Sequence, residues 1–371
     1  MNPLKTRNFF KRNAVLCIAA LAAIVTCFFV PPSKSYLKYP DYKTLACLFL
    51  TLAVICALKN IKFFTILSRK IVMLTGNLRV LTLVLVYVTF IGSMLIANDM
   101  ALITFLPLGF FALQVTKNEK HMAYVFILQN ISANLGGMLT PFGNPQNLYL
   151  YSHFDIPTGE FMKIMLPPFL LAVVLLTAAC FLLKPTPLSI DKAFGETLDK
   201  KKTVLYLVLF AFSILIVFRV VHYIVGLIVI PLVLIFVDRK ALKAVDYPLL
   251  LTFLMFFIFA GNMSNIAGVK HLLSGLLGKS TLLVSICSCQ GISNVPTAIL
   301  LSQFTDNYKE LLLGVNIGGT GTLISSLASL ITFSEYKLLY PGHGKQYFVL
   351  FTLMNVIFLA IMTACSYFFF R

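Results

Sequence analysis

GGMLTPFGNPQN, residues 136–147, interrupts a chain otherwise dominated by Leu, Phe, Ile and Val. Glycine, proline and asparagine are poor helix formers, so this dozen marks a break where an apolar helix would otherwise continue. Around it lies a chain of 371 residues that is 59% hydrophobic and only 12% charged. Soluble domains are closer to half apolar and about one quarter charged. Apolar runs long enough to cross a bilayer recur from end to end, and the alternating ten-residue strands of a membrane barrel are absent from the sequence. The fold class is an all-α polytopic membrane protein.

The net charge of +17 does not indicate nucleic acid, because Lys and Arg are scattered between apolar spans and form no basic face. All eight cysteines fall inside apolar segments without a CxxC pair, and no His cluster has metal-ligand spacing. The cysteines read as small core residues. The start has the basic-then-apolar order of a signal peptide, but its apolar run is long and ends in CFFVPP, so it reads as a first spanning helix.

Spanning helices are expected near 13–30, 42–58, 120–152, 161–183, 203–220, 222–238, 247–260, 307–334 and 346–369, with 120–152 and 307–334 broken. Two stretches remain, 78–113 and 280–304, each with a polar centre (ANDM and GISNVP). Their limbs look short for a span, so both are expected to be re-entrant hairpins. An amphipathic segment precedes each, 60–74 and 265–278, and is expected to lie along the interface. With the N-terminus in the cytoplasm, most of the 30 basic residues fall on the inner side, the first hairpin opens inward, the second outward, and the C-terminus lies outside. With no Trp in the chain, the interfacial belt falls to Tyr.

The broken stretch has a partner. Residues 318–329 read GGTGTLISSLAS, again with a threonine four residues after the first glycine. Upstream, ANDMALITFLPL parallels SNVPTAILLSQF, and Asp41-Tyr42 opens one helix as Asp246-Tyr247 opens another. The matched order divides the chain into a first repeat (1–183), a linker with an extra helix (184–220) and a second repeat (221–371). The extra helix inverts the second repeat relative to the first, the arrangement of secondary transporters. Gly136 and Gly137 are expected to unwind the helix, and the prolines to free carbonyls from its ladder. Carbonyls ending one half-helix suit a cation, and N–H groups starting the next suit an anion.

Asp99 is a carboxylate inside a membrane hairpin, costly unless paired or hydrated, and so a candidate for ligating Na+ or carrying a proton. Asn98 and Asn294 hold matching places at the two hairpin tips. Arg219 and His222 read as boundary residues, solvated or snorkelling, His343 as a loop residue, and Thr89, Ser93 and Thr104 as lining the cavity or bonding the preceding turn.

IANDMALITFLPL, NLGGMLTPFGNPQNLYL, GISNVPTAILL and GVNIGGTGTLISSLASL together resemble the ion transporter superfamily of arsenite permeases, NhaD-type sodium–proton antiporters, citrate permeases and sodium-coupled dicarboxylate symporters. The resemblance implies a homodimer whose scaffold helices hold a moving domain containing both hairpins and both broken helices. The dicarboxylate branch carries a Ser-Asn-Thr triplet at each tip. Here the positions read Ala97-Asn98-Asp99 and Ser293-Asn294-Val295, so both asparagines match and their neighbours depart. The Asn-Asp pair is more similar to the arsenite-permease side, and GNPQN to its uncharacterised anion permeases. The resemblance places one cation site at Asn98, Asp99, Gly136, Thr140 and Asn144, with Gly137 and Asn147 beside it. A twin falls at Ser293, Asn294, Gly318, Thr322 and Ser325, with Thr297 and Gly319. Na+ is expected at Asn98, Asp99, Gly136 and Thr140 and at Asn294, Gly318 and Thr322, with the substrate between the tips.

The expected function is a secondary active transporter of a small anion or oxyanion, with no cofactor beyond Na+ or H+ as coupling ion, in a bacterial inner membrane. One alternative is a sodium–proton antiporter without organic substrate. A remoter one is an intramembrane hydrolase using Asp99, which lacks a second buried acid or a nucleophile with a base. No GxxxxGK[ST] loop occurs, which argues against an ATP-driven pump.

Overall fold

The computed structural model describes residues 13–72, 75–188 and 198–370. The first basic stretch, the end of the 60–74 segment and the middle of the linker lie outside the described residues. Among the described residues there is no strand, only an isolated antiparallel bridge between Asn77 and Pro187.

In chain order the helices are α1 (Ala14–Cys27), α2 (Tyr42–Asn60), α3 (Phe63–Val72), α4 (Leu78–Ile96), α5 (Asn98–Val115), α6 (Met122–Gly136), α7 (Pro145–His153), α8 (Thr158–Phe181) and α9 (Lys200–Val217). There follow α10 (Tyr223–Val237), the short α11 (Arg239–Lys243), α12 (Tyr247–Ser264), α13 (Ala267–Lys279), α14 (Thr281–Ile292), α15 (Asn294–Leu301), α16 (Tyr308–Ile317), α17 (Leu327–Leu339) and α18 (Gly344–Cys365). Local sequence sets the starts. Asp41 caps α2 by accepting from Thr44 N (3.0 Å), and Asp246 caps α12 by accepting from Leu249 N (3.0 Å). Asn77 and Ser280 do the same for the two hairpins, accepting from Val80 N (3.0 Å) and Leu283 N (3.2 Å).

Among the described residues six helices are long and apolar enough to cross a membrane: α2, α4, α5, α8, α12 and α18 with the turn that follows it. Two of these correct an expectation. The limbs of the first hairpin, α4 and α5, have 19 and 18 residues and are not short. At 1.5 Å per residue each reaches about 28 Å, close to the hydrocarbon thickness of a bilayer. The turn consumes a single residue, Ala97, so the polar ANDM cluster cuts far less helix than its composition suggests. The second hairpin has limbs of 12 and 8 residues, as expected.

Packing interleaves the two halves. α1 lies along α12, where Asn262 donates to Thr26 Oγ1 (3.0 Å), and α2 packs on α9, α10 and α11. At the α2–α10 crossing Gly226 lets the side-chain ends of Leu50 and Ile216 pack directly against its backbone. The second limb of each hairpin packs across to the other half, α5 on α17 and α15 on α7, and α15 also packs on α12 of its own half. Polar residues accumulate at these crossings. Gln129, Asn130, Ser132, Asn134, Gln146, Asn147 and Asn316 are all buried. In lipid such groups need partners within the protein.

Candidate functional site

The hairpin tips share one geometry. Ala97 (φ 66°, ψ 151°) and Ser293 (φ 72°, ψ 159°) occupy a region that favours glycine, a strain that surrounding structure must hold in place. Each is followed by an asparagine whose Oδ1 accepts from the next backbone N–H: Asn98 from Asp99 (2.9 Å) and Asn294 from Val295 (2.9 Å). The matched threonines brace the tips from behind. Thr140 Oγ1 donates to Met94 O (2.8 Å) and Thr322 Oγ1 to Gln290 O (2.9 Å), each carbonyl three residues before its tip. Asn98 Nδ2 also donates to Asn134 Oδ1 (3.2 Å), and Asn294 N to Ser325 O (2.9 Å). Thr297, one turn on, returns its hydroxyl to Ser293 O (2.7 Å).

The glycine pairs act differently from the expectation. Gly136 is helical (φ −67°, ψ −46°), and extended backbone begins only at Thr140 (φ −112°, ψ 145°). Gly136 and Gly318 serve close approach to the hairpins. A Cβ on Gly136 would meet the Phe90 carbonyl and sit 2.6 Å from Ser93 Oγ. One on Gly318 would sit 2.9 Å from the Cys289 side chain. Gly137 is pressed against Asn144, and Gly319 faces Asn294 Nδ2.

The helix gaps run from Thr140 to Asn144 and from Gly318 to Ser326. Asn147 Nδ2 points back into the first, toward the carbonyls of Gly137 (3.1 Å), Met138 (3.2 Å) and Thr140 (3.4 Å). In the second, Ser325 Oγ lies 2.9 Å from Gly319 O and 2.8 Å from Thr322 O. The gaps are stitched together by Asn316, whose Nδ2 donates to Asn147 Oδ1 (2.6 Å) and whose Oδ1 accepts from Asn144 (3.3 Å). Sequence reasoning missed Asn134 and Asn316. The signal was present, since each stands two residues before its Gly–Gly pair.

Both tips border one cavity of about 490 Å³. Asn98, Asp99, Gln146, Ser293 and Asn294 supply its polar lining, and Phe253, Phe256, Phe259 and Ile324 are among its apolar walls. Four helices begin at it: α5 at Asn98, α7 at Pro145, α15 at Asn294 and α17 at Leu327. Their N-terminal dipole ends converge on one space, which favours an anion. Asp99 Oδ1, Gln146 Oε1 and Asn144 Oδ1 are buried oxygens without a hydrogen-bond partner among the described residues. The described residues contain no group of three or more His, Cys, Asp or Glu that could hold a metal ion.

Several nominated residues stand apart from the cavity. Thr89, Ser93 and Thr104 each bond the preceding turn. His222 caps α10 through Ile224 N (3.4 Å), and His343 contacts Pro341 O in a loop. Arg219 lies just beyond the end of α9 with its side chain 24% exposed. It pairs with Asp155 (2.6 Å) and lies over the Tyr151 ring (4.3 Å), tying the end of α9 to the end of α7.

The sequence profile of the citrate transporter family matches residues 6–308. The chain belongs to that family. An uncharacterized transporter of Methanocaldococcus jannaschii is 34% identical over 79% of this chain and 80% of its own. The inner membrane protein YbiR of Escherichia coli is 27% identical over 84% of each. A citrate transporter family chain with several helices able to span a bilayer is an integral multi-pass membrane transporter, in line with the superfamily resemblance read from its motifs.

Proposed function

We propose that the protein is a secondary active transporter that carries a small anion or oxyanion, coupled to Na+ or H+ by alternating access. The observation that carries this reading is the convergence of four helix N-termini on a cavity bordered by both hairpin tips. In this reading the passenger sits between Asn98 and Asn294, and Asp99 is the group whose charge state or cation links transport to the gradient. The equal φ/ψ at Ala97 and Ser293 and the equal threonine braces support a division into two repeats, 1–183 and 221–371, related by a pseudo-two-fold axis in the membrane plane. A homodimer in a bacterial inner membrane, with a cytoplasmic N-terminus and an external C-terminus, completes the proposal.

Sodium–proton exchange without an organic substrate is the rival that Asp99 favours, but exchange alone has no use for four dipole ends aimed at one cavity. The test is uptake of a labelled panel (citrate, dicarboxylates, arsenite, sulfate) into proteoliposomes under Na+ and pH gradients imposed separately. Gradient-driven accumulation of one anion is expected. Proton movement driven by Na+ alone, with no anion accumulated, would assign the chain to the antiporter reading.

A further inference from the structure

The unwound backbone of a broken helix suits a cation because its carbonyls lack helical partners. In this protein both sets of carbonyls already face a nitrogen. Asn147 Nδ2 lies 3.1, 3.2 and 3.4 Å from the oxygens of Gly137, Met138 and Thr140. Gln290 Nε2 lies 3.0 Å from Gly318 O, 3.2 Å from Thr320 O and 3.1 Å from Ile286 O. We propose that Asn147 and Gln290 are tethered surrogates for a cation, each amide filling the carbonyl cluster of one gap, so that neither gap binds Na+.

The orientation of each amide follows from its neighbours. Gln290 Oε1 accepts from the Thr322 backbone N–H (2.9 Å), a group that can only donate, so Nε2 is the end facing the carbonyls. Asn147 Oδ1 accepts from Asn316 Nδ2, and that nitrogen is fixed in turn by its bond to Leu312 O (2.8 Å). An amide nitrogen carries two hydrogens and no lone pair to offer, which makes it a neutral stand-in for a small cation among oxygens.

The repeat alone does not supply this arrangement. By the Gly–Gly register the counterpart of Asn147 is Ser329, and by the hairpin tips the counterpart of Gln290 is Met94. The first plug comes from the half-helix α7 and the second from the hairpin limb α14. Two unrelated positions thus satisfy the same need in the two gaps. Thr322, expected as a Na+ ligand, has both its N–H and its hydroxyl committed to Gln290. This inference deepens the transport reading and rests on it for one consequence: the coupling ion is handled by side chains at the cavity, not by the gap carbonyls.

The test is the melting temperature of the purified full-length protein in detergent at pH 8, in NaCl against KCl of equal ionic strength. It needs no substrate, so its failure and a failure of anion uptake are separate results. Any Na+-selective rise in the unsubstituted chain is expected to come from the cavity carboxylate, so Asp99→Asn is expected to melt equally in both salts. Gln290→Glu places a carboxylate among the carbonyls and is expected to gain a Na+-selective rise of several degrees, because a ligand that binds only the folded state stabilises it. Asn147→Asp is the parallel variant for the first gap. A Na+-selective rise in the unsubstituted chain that survives Asp99→Asn would overturn the proposal, and so would a folded Gln290→Glu that melts equally in both salts.

Discussion

Asn316→Leu should cost the protein more than its small side chain suggests. Asn316 is buried at the crossing of the two broken helices and makes two bonds between them: its Nδ2 to Asn147 Oδ1 (2.6 Å) and its Oδ1 from Asn144 Nδ2 (3.3 Å). Leucine branches at the same atom with the same number of heavy atoms but is bulkier, so no cavity forms, and the Asn355→Leu control carries the same overpacking cost. Interhelical hydrogen bonds in membrane proteins average about 0.6 kcal/mol each, giving roughly 1 kcal/mol for the pair. Asn144 Nδ2 keeps a second acceptor at Asn134 O (3.2 Å), but Asn147 Oδ1 loses the partner that holds its amide. A buried acceptor left unpaired adds about 1–3 kcal/mol, for a total of about 2–4 kcal/mol. The midpoint of unfolding by SDS in mixed micelles measures this. Asn355→Leu is the control, because Asn355 Nδ2 bonds only its own helix at Phe351 O (3.0 Å) and its Oδ1 has no partner. That shared overpacking apart, the control should be neutral or slightly stabilising. If Asn316→Leu lost no more than Asn355→Leu, the claim that Asn316 joins the two gaps would be wrong.

Gly136→Ala and Gly318→Ala should each destabilise by about 1–3 kcal/mol by overpacking. The first Cβ would meet the backbone carbonyl of Phe90 and the second that of Gly314, and neither carbonyl can swing aside. Both read out as unfolding midpoints. Arg219→Ala should cost about 1–3 kcal/mol in the same assay: the exposed Asp155 carboxylate contributes little, but the guanidinium also donates to Tyr151 O and lies over the Tyr151 ring. Asp99→Asn should leave an anion able to bind but abolish its gradient-driven accumulation, measured by uptake with and without the imposed gradient. Undiminished accumulation would remove Asp99 from coupling.

Much of this molecule was legible because an apolar background makes polar exceptions informative. Few reasons exist for Asn98, Asp99 and Asn294 to interrupt a membrane hairpin, and they do border one cavity. The Gly–Gly–x–x–Thr spacing located both breaks, since a matched threonine in each copy turned out to brace a tip. What misled was inference from composition to conformation. Gly136 looked like the point of unwinding, but its lack of a Cβ lets the Phe90 carbonyl approach while its own backbone remains helical. The ANDM cluster looked like a wide interruption, yet one residue with positive φ makes the turn and leaves two long limbs. Asn316 and Gln290 reach partners 28 to 172 residues distant, which no local pattern encodes, and Asn147, whose carbonyls lie only 7 to 10 residues back, is oriented by Asn316 from 169 residues away. The pairing of Arg219 was illegible for the same reason, because it depends on Asp155 and Tyr151 arriving beside it in space.

The most direct trial of the account is uptake by proteoliposomes bearing Asn98→Ala or Asn294→Ala, with whichever labelled anion the unsubstituted protein accumulates. If the passenger is held between the two tips, each variant alone should raise the half-saturating anion concentration at least tenfold, because each removes a contact from opposite sides of one site. Unchanged concentration dependence in either variant, with the protein folded and inserted, would contradict it.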